Sequence, residues 1–126
     1  MELKLSDLDN YKLSDIDFLT IEQLETMTLQ DLVTAVEAVR KIAESRCDPN
    51  QLLNEKQCIY VVNIIHEHKS IFGNKQEFTP KQISIAAALG IVQTLTGLAI
   101  KYIVANWEEI KPALIQSYLL IKDLLN

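Results

Sequence analysis

From Leu29 onward, apolar residues recur at Leu29, Leu32, Val36, Val39 and Ala43, in alternating steps of three and four. That spacing places them on one stripe of a helix. Val33 and Ile42 widen the stripe. The pattern lasts roughly two and a half heptads, too short for a long coiled coil, so it predicts a packed bundle helix. Thr28-Leu29-Gln30-Asp31 opens it with the spacing of a capping box, in which a hydroxyl and the residue three on satisfy the first N–H groups.

The stretch before it repeats this start signal. Lys4-Leu5-Ser6-Asp7-Leu8-Asp9 recurs as Lys12-Leu13-Ser14-Asp15-Ile16-Asp17, and Thr20 is followed by Gln23. Short helical turns, each restarted by its own cap, are expected over 1–27.

Downstream, Asp48-Pro49-Asn50-Gln51 reads as a break and a restart, with Asp48 as the cap and Pro49 at the first helical position. A helix is expected from about Pro49 to Phe72, ended by Gly73. Residues 73–78 form a polar loop, and Thr79-Pro80-Lys81-Gln82 repeats the start signal. From Gln82 to Ile100 no residue is charged. Ala86, Gly90, Thr94 and Gly97 fall on one face of that helix and would let another backbone approach closely. Trp107 to Lys111 reads as a short turn opened by Asn106. A last helix from Pro112 to about Leu125 follows, because the residue before a proline is disfavoured in a helix.

These elements predict an all-α fold, a compact bundle of about five helices. Residues 1–126 form a single domain, with 1–27 as an acidic short-helix segment and 28–126 as the helical core. Three Gly and three Pro leave little material for the turns of a β-sandwich or barrel. The hydrophobic helix, about 80–105, is expected at the centre, since a helix apolar all round is buried. A membrane span over 83–105 is the competing reading, because about 20 apolar residues suffice. Ser84, Gln93, Thr94, Thr96 and Lys101 weigh against it.

Charge changes the picture in one respect. The net charge is −5. Residues 1–31 hold eight acids against Lys4 and Lys12, 2 − 8 = −6, so the remainder sums to −5 + 6 = +1. Such asymmetry marks a candidate partner surface. Asp7, Asp9, Asp15, Asp17, Glu22 and Glu25 are its candidate residues. Lys and Arg are scattered singly apart from the adjacent Arg40-Lys41 and offer no basic face for nucleic acid, so none is expected as a partner.

Candidate chemistry is sparse. His66 and His68 stand two apart and point about 200° from each other on a helix, whereas helical metal pairs use steps of three or four. No metal or cofactor is expected. Cys47 and Cys58 are too few for a disulfide framework. Cys58, eight residues and about 12 Å from His66, lacks a base within hydrogen-bond reach. Three glycines cannot build a phosphate loop.

No stretch assigns the chain to a family. The opening MELK and its acidic turn resemble small nuclease-immunity proteins, and 28–54 resembles the oligomerisation part of histone-like nucleoid proteins. Both likenesses consist of residues that any helix start uses.

The resulting expectation is a non-enzymatic, cytoplasmic protein-interaction module, an inhibitor, immunity-type or adaptor protein. Its acidic N-terminal surface would meet a basic patch on a protein partner. The alternatives are a membrane-associated protein anchored by 83–105 and a self-assembling homo-oligomer that pairs through the small-residue face.

Overall fold

The computed structural model describes residue 12 and residues 19–67, 83–101 and 107–126. Five helices lie among them: α1 (Ile21–Thr26), α2 (Leu29–Arg46), α3 (Glu55–Glu67), α4 (Ile85–Lys101) and α5 (Trp107–Leu125). The fold is an all-α bundle, as the periodicities imply. α5 packs against each of the other four, and α2 also packs against α4. One continuous core draws on Leu24, Leu32, Val36, Ile64, Leu95, Leu114, Tyr118 and Ile121, all fully buried.

The early start signals act as expected. Thr20 caps α1 in a complete capping box: its Oγ1 accepts from Gln23 N, and Gln23 Oε1 accepts from Thr20 N. Thr28 Oγ1 accepts from Asp31 N and opens α2. The repeat units at 4–9 and 13–17 lie outside the described residues.

Three expectations are corrected. The first is the start of α3. Asp48 does not cap a helix at Pro49. Its carboxylate accepts from Asn50 N at 3.0 Å, which makes a local turn. The helix begins six residues later, where Asn54 Oδ1 accepts from Gln57 N at 2.8 Å and Gln57 Oε1 accepts from Asn54 N at 3.0 Å. Tertiary pairing decides between the two caps. Residues 49–53 run beside the entry to α4, bridging Leu52 to Ser84, with Leu53 N donating to Ile83 O. A helix from Pro49 would forfeit those bonds. Phe72, Gly73 and the start signal at 79–82 lie outside the described residues.

The second is Pro112. It lies inside α5 instead of opening a helix. It is exposed, while Ile110, Ala113 and Leu114 beside it are buried. Anchoring both flanks in the core outweighs the one ladder bond that a proline removes.

The third is the central position. Residues 32–40 of α2 are all buried, which covers every direction around a helix. This run includes Thr34, Glu37 and Arg40, so α2 reads as less apolar than α4. Its polar groups are matched internally. Thr34 Oγ1 donates to Gln30 O at 2.7 Å. Arg40 donates to Glu37 Oε2 through Nε at 2.9 Å and Nη2 at 2.7 Å. α4 instead buries one face, including Ala88, Val92, Leu95 and Ala99, and leaves the other open. With 17 residues it is about 25 Å long, against a hydrocarbon core of about 30 Å. No helix among the described residues is long and apolar enough to cross a membrane.

Candidate functional site

The first turn of α4 sets how its open face is presented. A helix start leaves its first N–H groups without partners. Here each is used: Ile85 N donates to Gln51 O, Ala86 N to Pro49 O, Ala87 N to Ser84 Oγ, and Ala88 N to Ser84 O. The end is therefore closed to an anion, and the 49–53 segment holds the helix in place.

At its middle α4 is fixed to α2 by polar contacts. Thr96 is fully buried, and its hydroxyl donates to Glu37 Oε1. Thr96 Oγ1 also lies 3.0 Å from Gln93 O and 3.2 Å from Val92 O, so its one proton has three acceptors within reach. Glu37 thus receives Arg40 on one oxygen and Thr96 on the other. Arg40 Nη1 also donates to Glu44 Oε2 at 3.1 Å. The guanidinium is neutralised by its own helix. It secures the α2–α4 packing and does not present a free positive charge.

The outward face carries Ala86, Ala87, Gly90, Gln93, Thr94, Gly97 and Ile100, all exposed. At 100° per residue these seven span about 140° of the helix surface. None is charged. A Cβ built on Gly90 or Gly97 meets nothing within 4 Å. Thr94 Oγ1 donates to Gly90 O at 3.0 Å, which turns its polar group back on its own helix. The small residues singled out in the sequence therefore share a face, but no other part of the described chain packs on it.

Beside this face lies a groove of about 200 Å³ between α2 and α4, lined by Arg40, Glu44, Cys47, Ala86, Gly90 and Gln93. Burial raises the pKa of the Cys47 thiol, so it stays protonated in the ordinary pH range and is a poor nucleophile. Cys58 is buried, with Sγ 3.8 Å from Leu53 O.

Of the acidic candidates, Asp7, Asp9, Asp15 and Asp17 lie outside the described residues. Glu22 and Glu25 are exposed on α1. His66 is exposed and His68 lies outside the described residues. Among the described residues no group of three or more His, Cys, Asp or Glu is placed to hold a metal ion. The feature that sequence reasoning missed is the groove. It needs residues from two helices 40 positions apart, and no local pattern marks that.

Compared with known proteins, the chain matches no family model, no curated protein and no solved structure.

Proposed function

We propose that the protein is a non-enzymatic protein-interaction module whose contact surface is the open face of α4. The observation that carries this reading is a pair of exposed mid-helix glycines on an uncharged face. Each glycine in a helix interior costs about 1 kcal/mol relative to alanine. Neither Gly90 nor Gly97 is needed for space among the described residues. Close approach of another backbone is the use that such residues serve on a helix face. The face lacks the charges that a solvated helix surface normally carries.

A second reading keeps the acidic segment as the contact. Exposed Glu22 and Glu25 belong to the stretch that holds the whole net charge, and an inhibitor or adaptor could use it to meet a basic patch.

Site-specific photo-crosslinking in cells separates the two. A photoreactive phenylalanine analogue is placed at exposed Gln93 on the open face of α4, at Glu22, or at exposed Asn63 on α3 as a control. Adducts from Gln93 and not from Asn63 are the expected result. Adducts from Glu22 alone would transfer the function to the acidic surface.

A further inference from the structure

On the reading of α4's open face as the contact surface, we infer that Thr96 and Glu37 are positioning residues, whose hydrogen bond sets the rotation of α4 about its own axis and so decides which face the chain presents. The need for such a latch lies in the apolar pattern. Between Gln82 and Ile100 no residue is charged, so no rotation of this stretch buries an unpaired charge. At 100° per residue, large apolar side chains run from Leu98 through Ile91, Val92 and Leu89 to Ile100, an arc of about 200°. The buried part, from Leu95 to Leu89, spans only about 120°. Apolar burial alone is therefore met over rolls of about 40° in either direction.

A roll toward Leu98 shows the degeneracy. It would bring half-buried Ile91 under cover and turn Leu89 out, one aliphatic side chain for another with the same number of carbons. The 49–53 segment resists this weakly, because it holds the backbone of α4 through Ile85 N and Ala86 N. Backbone atoms about 2.3 Å from the axis move by only about 1.6 Å in such a roll, whereas side-chain ends about 5 Å out move by about 3.5 Å.

Thr96 is the one buried polar side chain among the described residues of α4. Its acceptor does not follow a roll. Glu37 is buried and held on its own helix by Arg40, through Nε at 2.9 Å and Nη2 at 2.7 Å. A buried carboxylate oxygen that loses a donor costs more than an exchange of two aliphatic side chains, so the bond selects one rotation. In that rotation Gly90, Gln93 and Gly97 face outward.

Two variants at Thr96 separate rotation from stability. Thr96→Val keeps the shape and loses the hydroxyl, and Thr96→Ser keeps the hydroxyl and loses a methyl. Both should lower the thermal midpoint. Only Thr96→Val should double or exchange-broaden the amide NMR signals of residues 88–100, or replace the interhelical contacts of Leu89 by contacts of Ile91. Thr96→Ser should keep the natural pattern. A single sharp set of signals with the natural Leu89 contacts in Thr96→Val overturns the inference, as does equal broadening in the two variants. These spectra are taken on the purified chain, so they do not depend on a partner. Crosslinking from Gln93 in cells then tests the consequence: adducts should fall in Thr96→Val and persist in Thr96→Ser. Equal adducts from both variants overturn the link between rotation and the presented face. Broadened signals in Thr96→Val, with no Gln93 adducts even from the natural chain, leave the latch standing and overturn the contact surface.

Discussion

The Thr96 hydroxyl donates to Glu37 Oε1 across 59 residues of sequence and ties α4 to the buried middle of α2. The other oxygen of Glu37 is forked by Arg40, and both side chains are about nine-tenths buried. Removing one partner from such a site leaves a buried charge without its mate and costs about 3–5 kcal/mol. Arg40 keeps Glu44 at 3.1 Å, so Glu37→Ala should fall at the lower end of that range or below it, seen as a drop in the urea midpoint with unchanged slope. Thr96→Val removes one donor from a carboxylate that keeps Arg40, so about 1–3 kcal/mol is expected. The paired change Glu37→Leu with Arg40→Met should be far milder than Glu37→Ala, since it leaves nothing unmatched. A pair variant as unstable as the single would mean that the network is not what holds α2 central.

The competing helix starts at Asp48 and Asn54 make a direct comparison. Asn54 caps α3 and is joined to Gln57 in both directions. Asn54→Ala should cost about 1 kcal/mol. Asp48→Ala loses one bond to Asn50 N in an exposed turn and should cost clearly less. Gln57 also donates to Asp123 Oδ2 at 2.7 Å, which links the start of α3 to the last turns of α5. Gln57→Ala should therefore exceed Asn54→Ala in thermal denaturation. Equal losses at 48 and 54 would return the helix start to Pro49.

Pro112 sits six residues into α5 and breaks one rung of the backbone ladder. An interior proline costs about 3 kcal/mol or more in a helix. Part of that is offset, because proline also restricts the unfolded chain by about 0.4–1 kcal/mol. Pro112→Ala should therefore stabilise the protein by about 2–2.6 kcal/mol, with no change in helical circular dichroism beyond a slight gain. Its exposed position means that no packing is lost. Destabilisation would show that a bend at Pro112 is needed to bring both halves of α5 onto the core.

These three cases mark what the sequence alone makes legible. Helix periodicity and the Thr20 and Thr28 caps could be read directly, because each depends on neighbours within four residues. The start of α3 could not. Asp48-Pro49 and Asn54-Gln57 are both good caps, and pairing of 49–53 with Ser84 selects between them. The sequence points to α4 as the central helix for a related reason. Counting apolar residues favours α4, whereas burial of α2 depends on Glu37 finding Arg40 three residues on and Thr96 on another helix. The face at Ala86, Gly90, Thr94 and Gly97 was legible as a stripe. Its being open, and its continuity with a groove on α2, were not.

Cys47 gives a test by pH. Burial raises its thiol pKa in the folded chain above that of the unfolded chain. The folded state thus holds this proton more tightly. The stabilisation is fully present below the unfolded thiol's pKa and is lost as pH rises through the folded one. Alkylation of Cys47 by iodoacetamide should begin at higher pH in the folded protein than in urea. Gly90→Leu, which fills the groove that Cys47 lines, should slow it further without unfolding the chain. An alkylation profile that matches the unfolded chain would mean that the thiol is open to water.

Gly90 and Gly97 allow the docking face to be probed apart from the fold. Space for a Cβ is open at both, and both sit within the 17-residue α4. Replacing either by alanine should raise monomer stability by about 0.5–1 kcal/mol, because alanine restricts the unfolded backbone and favours helix. Larger residues should also be tolerated by the isolated chain, since both positions are exposed. At a close helix contact the sign reverses, since each added side chain pushes the partner backbone away. Gly97→Leu should thus leave or improve the thermal midpoint at high dilution while reducing the adducts formed from Gln93 in cells. A loss of stability in the dilute monomer would show that the glycines serve the fold itself, and the open face would lose its strongest claim to be a contact surface.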